Sequence, residues 1–261
     1  GFPLVYALMS RKTEQAYKAL FIYIKSIEPT WQPTTVMTDF ERASINAVHS
    51  VFPTTRIVGC WFHLSQCIWR KIQELGLTNL YRENRKVHDF FRMVMAIALL
   101  PNQKLDEGFD VVRRMYHTTI KHFIGLSENQ NINEFLEYYR RTWLTGIFSE
   151  MLSVSRQNRR TNNVLEISHR NLMSHIQNPN PSPWLFLENL ITHTHGIMND
   201  YRLAVDGLEV RQPRPRASNL QDKKITLALT KLDQNRFTVA EFLGYTKHVT
   251  PNFGIERPQN E

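Results

Sequence analysis

The first 75 residues alternate between short apolar runs and longer stretches in which apolar residues recur at helical spacing. The short runs, which predict strands, are residues 3–9, 35–38 and 56–59. A helical stretch follows each run, the first behind Thr13 as N-cap, the second over residues 43–51 and the third over residues 62–75. Strands and helices in this order, with short connections, predict an α/β sheet whose later strands are parallel.

The pattern from residue 82 to about residue 155 is helical only, which predicts helices over residues 87–100, 106–116 and 132–143. A basic stretch over 155–163 leads into a further helix over 164–176. Another helix begins at Ser182 and Pro183 and ends near residue 203. The rest carries Arg211, Arg214 and Arg216 between prolines, before one or two short helices. We expect these three arginines to form either a phosphate-contacting arm or an ordinary solvated linker.

These patterns divide the chain into four predicted segments. They are an α/β core over 1–75, an all-helical insertion over 76–155, a return to the core over 156–205, and a basic linker with C-terminal helices over 206–261.

Composition narrows the functional classes. The chain has 261 residues, 42% of them hydrophobic, which is enough to bury a core. No apolar stretch reaches the length of a membrane span. The net charge of +8 favours a polyanionic partner, nucleic acid before membrane. Two cysteines in a chain of this length do not make a disulfide scaffold.

Asp39 is the first candidate for chemistry. It ends a predicted buried strand at the carboxyl edge of the sheet, where open α/β folds bind ligands. The alternative is purely structural, because aspartate between a strand and a helix is a preferred N-cap.

Glu166 is the second candidate, on the predicted helix that follows the basic stretch. Glu166, His169 and Arg170 share one helical face at i, i+3 and i+4, behind Arg156, Arg159 and Arg160. Here too a structural alternative exists, since Asn163 and Glu166 have the spacing of a capping box.

The third candidate is the corner that contains Cys60 and His63. Their spacing is that of half a zinc site, and Cys67 follows four residues after His63. A closed structural zinc site needs four ligands, and no second pair at metal spacing is present, which argues against zinc. We therefore expect a packed strand-to-helix corner that faces the same edge as Asp39.

Several short motifs resemble those of the transposases of Mutator-like elements, or MULEs. They occur in the family's order and spacing from Gly1 to about His169, roughly two thirds of the chain. The motifs are Pro3-Leu-Val-Tyr-Ala-Leu8, Thr38-Asp-Phe-Glu41, Gly59-Cys-Trp-Phe-His63 and Asn162-Asn-x-x-Glu166-x-x-His169.

The resemblance implies a DDE-type catalytic domain with an RNase H-like core, interrupted by the helical insertion. Asp39 and Glu166 would be the second and third catalytic carboxylates and metal ligands, with Cys60, His63 and His169 as active-site neighbours. The first carboxylate belongs on the first strand of the core. We expect that residue roughly 20–30 residues upstream of Gly1, so the first strands would be missing and the chain inert as a nuclease on its own.

The same resemblance implies the chemistry and the partners. Two ions of Mg²⁺ or Mn²⁺, about 3.5–4 Å apart, would support DNA cleavage and strand transfer by attack on a phosphodiester. The partner would be double-stranded DNA of transposon ends and target, contacted by Arg156, Arg159, Arg160 and Arg170. The resemblance also implies a nuclear location, allows a homo-oligomer, and gives no membrane partner.

Two other interpretations stay open at this point. The chain could descend from a transposase and have kept the scaffold for DNA binding or protein interaction without catalysis. It could also be a zinc-stabilised interaction module around Cys60, His63 and Cys67, which predicts near-stoichiometric zinc in the purified protein.

Overall fold

A computed structural model describes residues 2–176, 181–208, 210 and 216–254. Helices dominate this part of the chain, and one small sheet lies among them. In chain order the elements are α1 (Glu14–Ile27), β1 (Thr35–Thr38), α2 (Arg42–Val51), β2 (Arg56–Gly59), α3 (Trp61–Glu74), α4 (Thr78–Glu83), α5 (Arg85–Ala96), α6 (Leu105–Met115), α7 (Leu126–Tyr139), α8 (Asn163–His175), α9 (Pro183–Val205), α10 (Arg216–Asp233) and α11 (Val239–Thr246).

The sheet consists of β1 and β2, which are parallel, with α2 as the crossover between them. Thr35 pairs with Arg56 at one end of the ladder, and Thr38 pairs with Gly59 at the other. The Cys60 N–H extends the ladder by donating to the Thr38 carbonyl over 2.9 Å. The chain therefore leaves both strands at the same edge, as the sequence predicts, and this edge carries Asp39 and Cys60.

The three helices predicted in the first 75 residues form as α1, α2 and α3. The Thr13 hydroxyl caps α1 by accepting the Ala16 N–H over 3.3 Å, which confirms that boundary. Helix α1 packs along α2, and Phe52 at the end of α2 contacts the rings of Phe21 and Trp31. The alternation of strand and helix is thus confirmed from residue 13 onward.

The prediction of a strand over residues 3–9 is wrong. The segment forms neither helix nor strand and pairs with no strand in the described part of the chain. Instead, the Phe2 ring lies edge-on to Tyr201 of α9, with ring centroids 5.6 Å apart. Leu4, Val5 and Leu8 are also largely exposed, so the segment has neither a surface that buries its apolar side chains nor, within the described residues, a strand to pair with its backbone N–H and C=O groups.

The predicted helical block is confirmed as α4 to α7, and its apolar side chains join one continuous core that extends from Phe40 to Val249. Helix α5 is central to this core, because most of its side chains are buried. Helices α10 and α11 pack back onto it through Ile225 and Phe242. The fold is therefore α/β in the broad sense, but mostly helical. The RNase H-like core and the four segment boundaries stay predictions.

Helix α9 confirms the predicted start at Ser182, whose hydroxyl accepts the Leu185 N–H over 3.2 Å. Not one of its 23 residues is buried. No helix of the described ranges is long and apolar enough to cross a bilayer. Arg211 and Arg214, for which we predict either an arm or a linker, lie outside the described residues, as does the side chain of Arg216.

Candidate active site

The turn after β1 leaves Asp39 free of a capping role. The N-cap of α2 is Glu41, and no side chain caps that helix. Between Asp39 and the helix lies Phe40, whose φ of 67° is in the left-handed region that large side chains seldom adopt. The structural interpretation of Asp39 as an N-cap is therefore wrong, and its carboxylate is available for other contacts.

Phe40 fixes this turn by burying its ring under the sheet edge. The ring is 9% exposed and stands edge-on to Trp143 and Phe148, with centroids 4.8 and 5.4 Å away. Gly59 makes room for it, since a Cβ at Gly59 would collide with the Phe40 ring. The side chain of Asp39 stays half exposed beside this anchor.

The loop before α8 is tied to the corner between β2 and α3. The Trp61 N–H donates to the Arg160 carbonyl over 2.9 Å, and the Asn162 N–H donates to Cys60 Sγ over 3.3 Å. The Asn162 side-chain amide donates to Asp39 Oδ1. These bonds place the first turn of α8 at the same edge as Asp39.

The capping box between Asn163 and Glu166 does not form. Helix α8 has Asn162 as its N-cap, without a side-chain capping bond. The reason is that Asn163 lies inside the helix, one residue past the N-cap, so Glu166 is not at the position that a capping box requires. Glu166 therefore lies in the first turn of α8 without the capping bond that its spacing predicts.

The imidazole of His63 lies between the two candidate carboxylates. Its Nδ1 is 3.1 Å from Asp39 Oδ1, and its Nε2 is 3.9 Å from Glu166 Oε1. The Nδ1 contact is close but is not aligned as a hydrogen bond. Among the described residues, no lysine or arginine nitrogen lies within 4.0 Å of either carboxylate, although the chain has 32 basic residues.

A second group of potential ligands overlaps with this arrangement. Asp39, Cys60 and His63 each offer one ligand atom, and these atoms lie within 4.8 Å of one another. Burial raises the pKa of the Cys60 thiol, while N–H groups of His63 and Asn162 act in the opposite direction. Cys67 lies further along, in the middle of α3, and does not belong to the group.

Of the four arginines predicted to contact DNA, two pair with aspartates of α10, and the other two are exposed. Arg156 donates two hydrogen bonds to Asp233 over 2.9 and 3.0 Å, and Arg160 donates to Asp222 over 2.8 Å. Both pairs join the basic stretch to α10. Arg159 and Arg170 are exposed, as is His169 on α8. The DNA contacts of the four arginines stay predictions.

A cleft of about 580 Å³ opens beside the site, and nothing in the sequence pattern indicated it. Phe62 and Asn163, the chain neighbours of His63 and Asn162, line one side, and α10 and the segment after α11 line the other. Arg92 and Lys224 give it a basic character, whereas burial lowers the pKa of His248 and so favours its neutral form. The Arg92 guanidinium uses Nε and Nη2 to donate to Thr250, over 2.9 and 3.0 Å.

The comparisons with known proteins match part of this chain to one family. Residues 1–67 match the family model of the MULE transposase domain. The matched range ends within α3 and contains Asp39, Cys60 and His63, whereas Glu166 lies beyond it. The resemblance drawn from the sequence motifs is thus confirmed over residues 1–67. No curated protein and no solved structure matches the chain.

Proposed function

We propose that this chain, whose first 67 residues match the MULE transposase domain, acts in transposase-type cleavage and strand transfer of double-stranded DNA. The observation that carries the proposal is the convergence of Asp39 and Glu166 on opposite ring nitrogens of His63. In this proposal both carboxylates are ligands of a divalent-ion centre, within an RNase H-like core that takes its first catalytic carboxylate from another strand. The nucleus is the place of action that goes with this function.

The residues at the sheet edge suit Mg²⁺ or Mn²⁺. Asp39 and Glu166 offer hard oxygen donors, which these ions prefer, and both side chains are at least one third exposed. With no lysine or arginine nitrogen within 4.0 Å among the described residues, their negative charge is not neutralised by a fixed cation. Bound divalent ions would supply Lewis-acid stabilisation of charge on the reacting phosphodiester.

The protein's own groups have separate tasks in this proposal. Asn162 orients the Asp39 carboxylate through its amide, and the imidazole of His63 spaces the two carboxylates. The exposed Arg159 and Arg170 lie near Glu166 in sequence and are suited to phosphate contacts. Arg160 has only 10% of its side chain exposed and pairs with Asp222, so we assign it to holding the loop in place.

The basic cleft gives a path for one DNA strand toward the carboxylates. Its lining combines cations with the aromatic ring of Phe62, a combination that suits a nucleic-acid backbone and base. Among the described residues, no carboxylate lies within 4.0 Å of the Arg92 or Lys224 side-chain nitrogens. Positive charge of this kind attracts phosphates and releases counterions on binding.

Lys224→Gln is expected to weaken duplex DNA binding by roughly five- to tenfold at 0.1 M salt, because one phosphate contact contributes about 0.9 to the slope of log K against log salt. The same slope should become shallower by about 1. Fluorescence anisotropy over a salt series measures both quantities. Lys223→Gln is the matched control, since Lys223 is exposed next to Lys224 on α10 but does not line the cleft.

Equal losses in Lys223→Gln and Lys224→Gln would contradict a DNA path through the cleft. If the DNA affinity of the unaltered chain did not fall as the salt concentration rises, the proposed phosphate contacts would be contradicted.

Glu166→Gln is expected to remove the effect of Mn²⁺ on DNA binding. In the unaltered chain, ions held by carboxylates and phosphates together should strengthen duplex binding several-fold when Mn²⁺ replaces a chelator. The substitution keeps the shape of the side chain but removes the negative charge that the ion needs. Anisotropy titrations with and without Mn²⁺ measure the difference.

Glu188→Gln provides the control for that experiment, because Glu188 is exposed on α9 and has no place in the site. An unaltered chain with the same DNA affinity in Mn²⁺ and in chelator would overturn the divalent-ion centre.

A further inference from the structure

The group formed by Asp39, Cys60 and His63 has a different chemistry from the pair of carboxylates. Its three ligand atoms, an oxygen, a sulfur and a nitrogen, lie within 4.8 Å of one another, and no other such group of three occurs in the described ranges. The residues come from the ends of both strands and the first turn of α3, so the parallel sheet itself assembles the group.

The spacing of two of the three ligands is close to that around a tetrahedral ion. Asp39 Oδ1 and His63 Nδ1 are 3.1 Å apart. Zinc binds such atoms at about 2.0–2.2 Å, and two tetrahedral ligands at those distances are about 3.3 Å apart. The pair therefore has to open by only a few tenths of an ångström to hold an ion.

The buried nitrogen of His63 lacks a hydrogen bond. Nδ1 has less than 1 Å² of exposed surface and no hydrogen-bond partner in the described part of the chain. Buried polar atoms are nearly always satisfied, and coordination to an ion would satisfy this one. The other ring nitrogen lies 3.9 Å from Glu166 Oε1, which is longer than a hydrogen bond.

The chemical type of the ligand atoms determines which metal ions the site prefers. Thiolate and imidazole are soft and borderline ligands, which favour Zn²⁺, Co²⁺ or Cd²⁺ over Mg²⁺. As the metal–sulfur bond forms, the thiol proton of Cys60 passes to water. Three protein ligands would leave one position of a tetrahedral ion open.

We propose that Asp39, Cys60 and His63 bind one zinc-class ion, a site separate in chemistry from the carboxylate centre but sharing Asp39 with it. The sequence alone argued against zinc because it offers no second ligand pair. The third ligand, Asp39, becomes adjacent only through the pairing of β1 with β2. Because Asp39 serves both sites, zinc bound here should displace Mn²⁺ from the carboxylate centre and so inhibit the proposed DNA chemistry.

The test is a Co²⁺ titration of the 261-residue chain after removal of metals, followed by absorption. We expect one equivalent to bind and to give a thiolate-to-Co²⁺ charge-transfer band, which Zn²⁺ then abolishes. Cys67→Ser should keep the band, and Cys60→Ser should lose it. Asp39→Asn should keep the band but weaken Co²⁺ binding at least about tenfold, as loss of a ligand requires.

Circular dichroism melting shows whether Cys60→Ser is folded. If that variant does not fold, Asp39→Asn still tests the site, because the Asp39 side chain is half exposed and its substitution should not disturb the core. The proposal is overturned by the absence of a band in the unaltered chain, by an equal band in Cys60→Ser, or by unchanged Co²⁺ affinity in Asp39→Asn. Co²⁺ binding without any effect of Mn²⁺ on DNA binding would support this site and overturn the proposed function. Failure to bind Co²⁺, together with stronger DNA binding in Mn²⁺, would overturn this site and leave the proposed function standing.

Discussion

Replacing Asp39 by asparagine is expected to weaken Mn²⁺ binding to the 261-residue chain by about ten- to a hundredfold or more. Removing a residue that only orients a metal ligand typically lowers metal affinity by about ten- to a hundredfold. Asp39 is proposed to be a ligand itself, so its loss should cost at least as much. The amide keeps the size of the side chain, and an isosteric change at a half-exposed position should leave stability within about 0.5 kcal/mol. Titration of free Mn²⁺ by electron paramagnetic resonance measures the binding directly.

The controls separate the two metal sites. Glu188→Gln removes an exposed carboxylate that belongs to neither site and should leave Mn²⁺ affinity unchanged. Cys60→Ser should also preserve Mn²⁺ binding, since a hard ion does not need the sulfur. Equal Mn²⁺ affinity in the unaltered chain and in Asp39→Asn would remove Asp39 from the divalent-ion centre.

The second large effect concerns stability rather than ion binding. Phe40→Ala is expected to lower the free energy of unfolding by about 3–5 kcal/mol, the usual loss for a buried phenylalanine. The ring packs edge-on against Trp143 and Phe148 and fills the space that Gly59 leaves open. Urea denaturation measures the change. The exposed Phe123→Ala, which loses a contact with Lys86, should cost less than about 1 kcal/mol.

A double-mutant cycle tests the specific contact between Phe40 and Gly59. Gly59→Ala alone should cost about 1–3 kcal/mol, because its Cβ collides with the Phe40 ring. In the Phe40→Ala background the same substitution should cost less, since the ring is gone and only the tight contact with the Met151 carbonyl at 3.1 Å is left. Additive losses would mean that the two residues do not constrain each other.

Local patterns predicted the elements well where local chemistry determines them. The Thr13 and Ser182 caps and the strands at residues 35–38 and 56–59 all form as predicted. The parallel pairing followed from the strand–helix–strand order, so the shared edge of Asp39 and Cys60 was predictable as well.

The errors occur where tertiary contacts override the local pattern. Residues 3–9 are apolar enough for a strand, but they lie against α9 without a strand partner. Asn163 and Glu166 have the spacing of a capping box, yet Asn162 takes the N-cap position and turns its amide to Asp39. A pattern within one helix cannot reveal a partner 123 residues away.

Some features of the site have no sequence signal at all. Arg160 looked like a phosphate ligand within a basic stretch, but its guanidinium pairs with Asp222 of α10. The cleft exists only because the segment after α11 folds back against Phe62 and Arg92. Such contacts depend on how distant helices pack, which periodicity and composition do not encode.

In the proposed function, Asp39 and Glu166 bind divalent ions next to bound DNA. Localised cleavage by Fe²⁺ tests this binding most directly, because Fe²⁺ in place of Mg²⁺ generates hydroxyl radicals that cut whatever lies around the ion. With duplex DNA, hydrogen peroxide as oxidant and ascorbate to regenerate Fe²⁺, we predict cuts in the polypeptide near Asp39 and Glu166 and in the DNA strand alongside. Excess Mg²⁺ should suppress them, and Asp39→Asn should abolish them. Cuts elsewhere in the chain, or cuts that Mg²⁺ does not suppress, would contradict the account.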